Sequence, residues 1–276
     1  MKCIHFACLG MAGALLAGSV FLGNIARAGI IEDLANATIV EDFLFDDDAG
    51  TAYDAAANNA GTGHLISTDS DLDGVTTNGS GALNASLKNN TGLGSPNVDN
   101  NDITFGRVFG VMEMTWNFTS TLDAAENEEL RISILNAGTS TVTAEFEIER
   151  NDDDQLEIFG TAVGTGSSNI PAAILNGGSL VQSTKFIAVV DANLDTDEYF
   201  VHYSSDAGAS FTTIGPGTID AARIGEKLRM VINNDFVGDN VLIDRVYLAT
   251  IVPEPSSMLL LALGCGLLAG RRGKSA

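Results

Sequence analysis

The stretch Thr143-Ala144-Glu145-Phe146-Glu147-Ile148-Glu149-Arg150 alternates without a break. Successive side chains of an extended chain point to opposite faces, so Ala144, Phe146 and Ile148 share one side and Glu145, Glu147 and Glu149 the other. One side is fit for burial and the other for water, the pattern of a strand in a layered antiparallel sheet. Outward from it, further extended segments are expected at Thr38–Phe45, Thr104–Phe118, Glu129–Leu135, Gln155–Phe159, Thr184–Val190, Glu198–Ser204, Ser210–Ile214, Lys227–Ile232 and Val241–Ile251. Turn-forming clusters such as Asn136-Ala-Gly138 and Asp206-Ala-Gly208 separate them. Asp220–Ile224 is read as a short helix. Residues 46–102 are rich in Asp, Asn, Gly, Ser and Thr and are read as long loops carrying short strands. The fold class expected is mainly β, an antiparallel jelly-roll sandwich over 29–251.

Composition narrows the function. The chain of 276 residues carries 36 acidic and 14 basic side chains, a formal net charge of −22. Phosphate-backbone binding needs clustered Lys and Arg, so nucleic acid is excluded as an expected partner. The three cysteines, Cys3, Cys8 and Cys265, all lie near the ends, so no disulfide staples the segment between them.

Both termini read as addresses. Residues 1–28 begin with Lys2, continue with an apolar stretch and end in Ala26-Arg27-Ala28, an A-x-A site after which the chain would start at Gly29. No lipidation cysteine follows Leu16-Ala17-Gly18. Residues 252–276 contain three parts in order: Pro253-Glu254-Pro255, whose prolines fix an extended backbone; the apolar run Met258–Gly270; and the basic end Arg271, Arg272 and Lys274. The run would make a helix of about 20 Å, shorter than the roughly 20 residues of an ordinary span. Its basic end favours a cytoplasmic tail. A short C-terminal transmembrane helix in the inner membrane is expected, with the upstream chain outside.

This tail resembles the PEP-CTERM sorting signal. The resemblance implies that an exosortase, a membrane-embedded cysteine protease, recognises the tail and cuts near Pro253-Glu254-Pro255. The chain would then be the substrate of that chemistry and an exported component of the cell envelope or extracellular matrix. The segment Phe186–Asp191, Tyr199–Tyr203, Ser204–Gly208 and Phe211, with Leu228–Asp235 and Val241–Leu248 closing it and Glu41–Phe45 opening it, resembles laminin-G-like, concanavalin-like sandwiches.

Candidate chemistry is sparse. Asp69-Ser-Asp71-Leu-Asp73-Gly74 spaces carboxylates before a glycine, like the front half of a calcium loop. An EF-hand would need Glu at position 80, which is Ser80. Asp191-Ala-Asn-Leu-Asp195-Thr-Asp197 is read as a second spaced acidic loop and Asp152-Asp153-Asp154 as a third. Calcium is therefore the candidate ion, on Asp69, Asp71, Asp73, Asp191, Asp195 and Asp197. Glu145-Phe-Glu147-Ile-Glu149 resembles the E-x-D-x-E strand of laminarinase-type glycoside hydrolases, in which the outer two carboxylates catalyse; that resemblance implies Glu145 and Glu149 as the pair. The plainer reading of the same strand is a solvated acidic face. His202 reads as a sheet-face residue, and no nucleophile arrangement or phosphate-binding glycine loop emerges. The expected function is non-catalytic adhesion or binding of extracellular polysaccharide. A glycoside hydrolase using Glu145 and Glu149, and a purely structural envelope component, are the alternatives.

Overall fold

The computed structural model describes residues 29–52, 56, 59–60, 66–67, 75–84, 91–94, 103–118, 128–136, 141–234 and 240–252. In chain order the elements are helix α1 (Ile30–Asn36) and strands β1 (Thr38–Phe43), β2 (Ile66–Ser67), β3 (Thr76–Thr77), β4 (Leu83–Asn84), β5 (Thr91–Gly94), β6 (Arg107–Asn117) and β7 (Glu128–Leu135). They continue with β8 (Val142–Arg150), β9 (Leu156–Thr161), β10 (Ile170–Ile174), β11 (Val181–Asn193), β12 (Glu198–Ser204), β13 (Thr212–Thr218), β14 (Lys227–Asn234) and β15 (Asn240–Ile251).

The strands form two sheets. Sheet one runs β13-β12-β11-β6-β15-β4-β3, with β1 also paired to β15; sheet two runs β10-β9-β8-β7-β14-β5-β2. Every named pairing is antiparallel. The protein is thus mainly β and antiparallel, as the alternation implies.

The inner faces bury one large core. Val108, Met112, Met114 and Trp116 of β6 meet Ala144, Phe146 and Ile148 of β8, so the apolar side of the opening stretch is buried as expected. At Gly110 the layers leave no room for a side chain. A Cβ there would lie 2.9 Å from Val190 Cγ1 and 3.1 Å from Leu228 Cδ1, one group from each sheet. Tyr199 of β12 supplies the other tie. Its hydroxyl oxygen accepts the Ile170 N–H at 3.2 Å, linking sheet one to β10. Its ring lies between Gly160 and Gly217, and a Cβ on Gly217 would collide with it.

β6 is buried on its other face too. Phe109 and Val111 join Val189, Tyr247 and Ala249 in a second cluster on the outside of sheet one, covered by Ile30 and Leu34 of α1. The sequence pattern did not single out this helix.

Several boundaries differ from expectation. Asp220–Ile224 is a turn: the Arg223 N–H closes on the Asp220 carbonyl at 2.8 Å, and the Asp220 carboxylate accepts the N–H groups of Ala222 at 3.0 Å and Thr165 at 2.9 Å. β13 continues through Gly215-Pro216-Gly217, because it is the edge of sheet one and proline there costs no ladder bond. β10, which contains Pro171, lies at the edge of sheet two for the same reason. Residues 46–102 do carry short strands, β2 to β5. The signal segment 1–28 and the apolar run 258–270 lie outside the described residues. Among the described residues no helix is long and apolar enough to cross a membrane.

The Tyr199 clamp yields a stability test. Gly217→Ala forces the buried ring to move, and overpacking of this kind costs about 1–3 kcal/mol. Urea unfolding of the variant should show that loss, with an unchanged slope.

Candidate functional site

The acidic side of β8 is not a solvated face. Glu145 is 2% exposed and Glu147 4% exposed, on the side of sheet two away from the core. Register places Ser133 and Thr161 beside Glu145, and Arg131 and Phe159 beside Glu147. Arg229 of β14 stands one strand further, opposite Ser133. Ser133 donates its hydroxyl to Glu145, and Arg229 Nη2 reaches the same Oε2 at 3.0 Å. Arg131 Nε lies 3.1 Å from Glu147 Oε2, and Thr161 donates to Glu147 Oε1 at 2.6 Å. Burial, then the neighbouring charge of Glu145, pushes the Glu147 carboxyl up to about 7 against the opposing pull of Thr161 and Arg131. The Glu147 proton is thus held near neutrality beside Glu145 and Arg131.

The acidic loops resolve differently from expectation. Asp69, Asp71 and Asp73 lie outside the described residues. Asp191 is not in a loop: β11 extends to Asn193, and Asp191 is fully buried on the outer side of sheet one. Arg107 grips it from Nε at 3.1 Å and Nη2 at 2.5 Å, and reaches Asp33 of α1 with Nη1 at 2.6 Å. His202 Nε2 lies 3.2 Å from Asp191 Oδ2, and His202 Nδ1 lies 2.8 Å from Thr213 Oγ1. The carboxylate can only accept, so His202 donates to it from Nε2. Burial raises the Asp191 carboxyl, but the hydrogen bonds and charge of His202 and Arg107 outweigh it and hold it below the usual range. Asp195 caps the neighbouring turn by accepting the Gly106 N–H at 3.0 Å. Asp197 sits at φ 55 where the β11–β12 turn closes. In the Asp152–Asp154 segment, Asn151 caps the turn and Asp154 pairs with Arg150. Among the described residues, no three His, Cys, Asp or Glu side chains converge as a metal-holding group.

Sequence reasoning took His202 for a sheet-face residue, which it is, but missed the partners that fix it. The one available signal was alternation: His202 and Asp191 both sit on outward positions of strands that pair as a hairpin. Arg107 is 84 residues from Asp191, and nothing local announces the pair.

Comparison with known proteins bears on both the address and the fold. Residues 252–274 match the PEP-CTERM protein-sorting motif. The sorting motif marks an exported protein sorted to the cell envelope. Among curated protein sequences no relative matches the chain. Among solved structures, the exoplasmic/lumenal domain of VIP36 in its metal-free form is similar with a TM-score of 0.53 at 7% identity, over 79% of this chain and 95% of that one. Its Ca²⁺-bound form gives 0.53 at 7% identity, over 80% and 94%. A β-glucanase of Bacillus licheniformis covers 78% of this chain and 98% of its own at 12% identity, with a TM-score of 0.47. The fold carrying the sorting motif is thus a concanavalin-like sandwich. Identities this low speak for the fold alone.

Two predictions follow from the ion clusters. Asp191→Asn leaves Arg107 half-paired in a buried place and should cost about 3 kcal/mol. The loss should be equal in calcium and in chelator, because both Asp191 oxygens are engaged by side chains. Glu147 binds its proton more tightly folded than unfolded. Its contribution is therefore fully present below about 4.5 and lost as pH rises through about 7. Thermal midpoints across that window should fall more steeply for the wild type than for Glu147→Gln, with the variant the more stable above pH 7.

Proposed function

We propose that this chain is an exported envelope or extracellular-matrix protein, processed at its tail by an exosortase, whose sandwich binds an extracellular polysaccharide without cutting it. The sorting motif at 252–274 supports the export and the processing. Pro253, Glu254 and Pro255 would be the recognised element, and Arg271 and Arg272 would hold the cytoplasmic end while the apolar helix sits in the inner membrane. Cleavage between Ala28 and Gly29, with Ala26 completing the A-x-A site, would free the amino terminus.

The observation that carries the non-catalytic reading is the state of the carboxylates on β8. Glu145 and Glu147 are consumed by Arg131, Arg229, Ser133 and Thr161. An acid and a nucleophile must instead meet substrate. Glu149, the outer member of the laminarinase-like trio, sits in register with Glu129 and Glu157, one further row away.

Calcium belongs to this reading through Asp69, Asp71 and Asp73. One VIP36 structure similar to this sandwich holds Ca²⁺, and a chain with a net charge of −22 gains from a bound cation. The thermal midpoint should rise by several degrees in calcium over chelator. An unchanged midpoint removes the metal and leaves the rest.

A glycan array and a reducing-end assay on laminarin decide the main question. Retention on one or more glycans with no release of reducing ends is the expected result. Release that disappears in Glu145→Gln would establish the hydrolase. An array without any retained glycan would leave a structural envelope component.

A further inference from the structure

Sheet one is not a smooth ladder at the end of β6. Against β11, Gln182 pairs with Trp116 and Phe186 with Met114, so Ser183, Thr184 and Lys185 stand opposite Thr115 alone. Against β15, Ile243 pairs with Met114 and Arg245 with Glu113, so Asp244 is an extra residue on the other side. Bulges thus break the ladder on both sides of β6 at nearly one level, and bulges bend the strand that carries them. The result is a cleft of about 310 Å³ over the end of β6, within the small end of the range for ligand sites.

The walls of the cleft are built in. Gln182 donates its amide N–H groups to the carbonyls of Thr184 at 2.7 Å and Ser205 at 3.1 Å, which fastens the bulge to the β12–β13 turn. Lys185 reaches Glu113 at 2.7 Å and Asp244 at 3.7 Å, clipping the β11 bulge across β6 to the β15 bulge. The Lys185 carbonyl accepts the Ala207 N–H at 3.1 Å. The turn that supplies Ala207 is itself tightly bonded, for Ser204 and Ser210 hold the Asp206 carboxyl at about 2. No wall depends on a ligand to form.

The lining is chemically specific. Thr115, Trp116 and Asn117 come from β6, Ser183 and Gln182 from β11, and Asn240 from β15. Val181 adds an exposed apolar patch. Among the described residues the lining includes no acidic or basic side chain. Trp116 is 3% exposed, and its indole N–H meets no acceptor. A buried donor without a partner is uncommon and calls for an explanation.

These features exclude most ligand classes. An anion would face a net charge of −22 with no cationic group among the described lining residues. A cation would find no carboxylate among the described lining residues. A wholly apolar ligand would strip water from amides and hydroxyls and return no hydrogen bonds. A neutral polyhydroxylated ligand fits, since amides and hydroxyls donate and accept at once and exposed Val181 offers apolar surface to the C–H side of a ring. We propose that this cleft is a binding site for a neutral sugar unit of a polysaccharide, held by hydrogen bonds from Thr115, Asn117, Ser183 and Asn240. The proposal rests on the glycan-binding reading above and places the site on sheet one, away from the β8 carboxylates.

Trp116 is the chain's single tryptophan, so its fluorescence reports on this cleft directly. The full chain, in a detergent without a sugar headgroup, would be titrated with laminaritetraose, cellotetraose, mannotetraose and the acidic tetragalacturonate, with calorimetry in parallel. Saturable emission change and heat with a neutral tetrasaccharide are expected. Ser183→Phe, on an exposed bulge residue, should abolish both. Asn117→Ala, also at an exposed position, should weaken binding about tenfold, the loss of roughly one good hydrogen bond. Both variants should keep the wild-type thermal midpoint. Heat from a neutral sugar with no emission change, or with affinity unaltered by Ser183→Phe and Asn117→Ala, overturns the cleft and leaves glycan binding standing. Binding of tetragalacturonate alone overturns the neutral class. The absence of binding to every neutral probe overturns this site, and an array that likewise retains nothing overturns the glycan reading with it.

Discussion

At Gly110 the two sheets approach so closely that β6 has room for no side chain. Val190 and Leu228 fill the place where one would stand. Most of the remaining architecture follows from having this strand at the centre. β6 pairs with β11 on one side and β15 on the other, and its inner row of Val108, Met112, Met114 and Trp116 forms the middle of the core. Two residues of its outer row, Phe109 and Val111, are apolar as well, which obliges the chain to supply a cover. Helix α1 does so, held by Asp33 on Arg107.

The charges in this acidic protein are sorted by the same constraint. Where an outward position is crowded, its carboxylate is matched: Asp191 by Arg107 and His202, Asp42 by Arg245 through two bonds of 2.7 and 2.8 Å, Glu145 by Arg229. The scarce basic residues are thus largely spent inside the sheet faces. Buried pairs of this kind add little over an apolar replacement but are costly to break. On β8 the same matching ties Glu145 to Arg229 and Ser133, and Glu147 to Arg131 and Thr161.

The alternation of Thr143–Arg150 was enough to orient β8, and the same logic located the long strands within a few residues. Misreadings have identifiable causes. Gly215-Pro216-Gly217 reads as a stop but lies on an edge, where no ladder bond is lost. Asp220 reads as helical but bonds its own neighbours. Asp191-Ala-Asn-Leu-Asp195 reads as one acidic loop but is split between a strand and a turn, which separates its carboxylates. The end cleft had no signature at all, because it arises from two bulges 60 residues apart in sequence that meet across β6.

By itself the sequence determined the address and the layer pattern. Signal-like and sorting segments are contiguous, and strand alternation is local, so both are written in neighbouring residues. Only the tertiary structure decided which outward faces are covered, which carboxylates find a cation, and where the surface opens. Those depend on pairings such as Arg107 with Asp191, 84 residues apart, and Arg245 with Asp42, 203 residues apart. Two groups that far apart become neighbours through the closure of the sheet, and no local preference of either one encodes it.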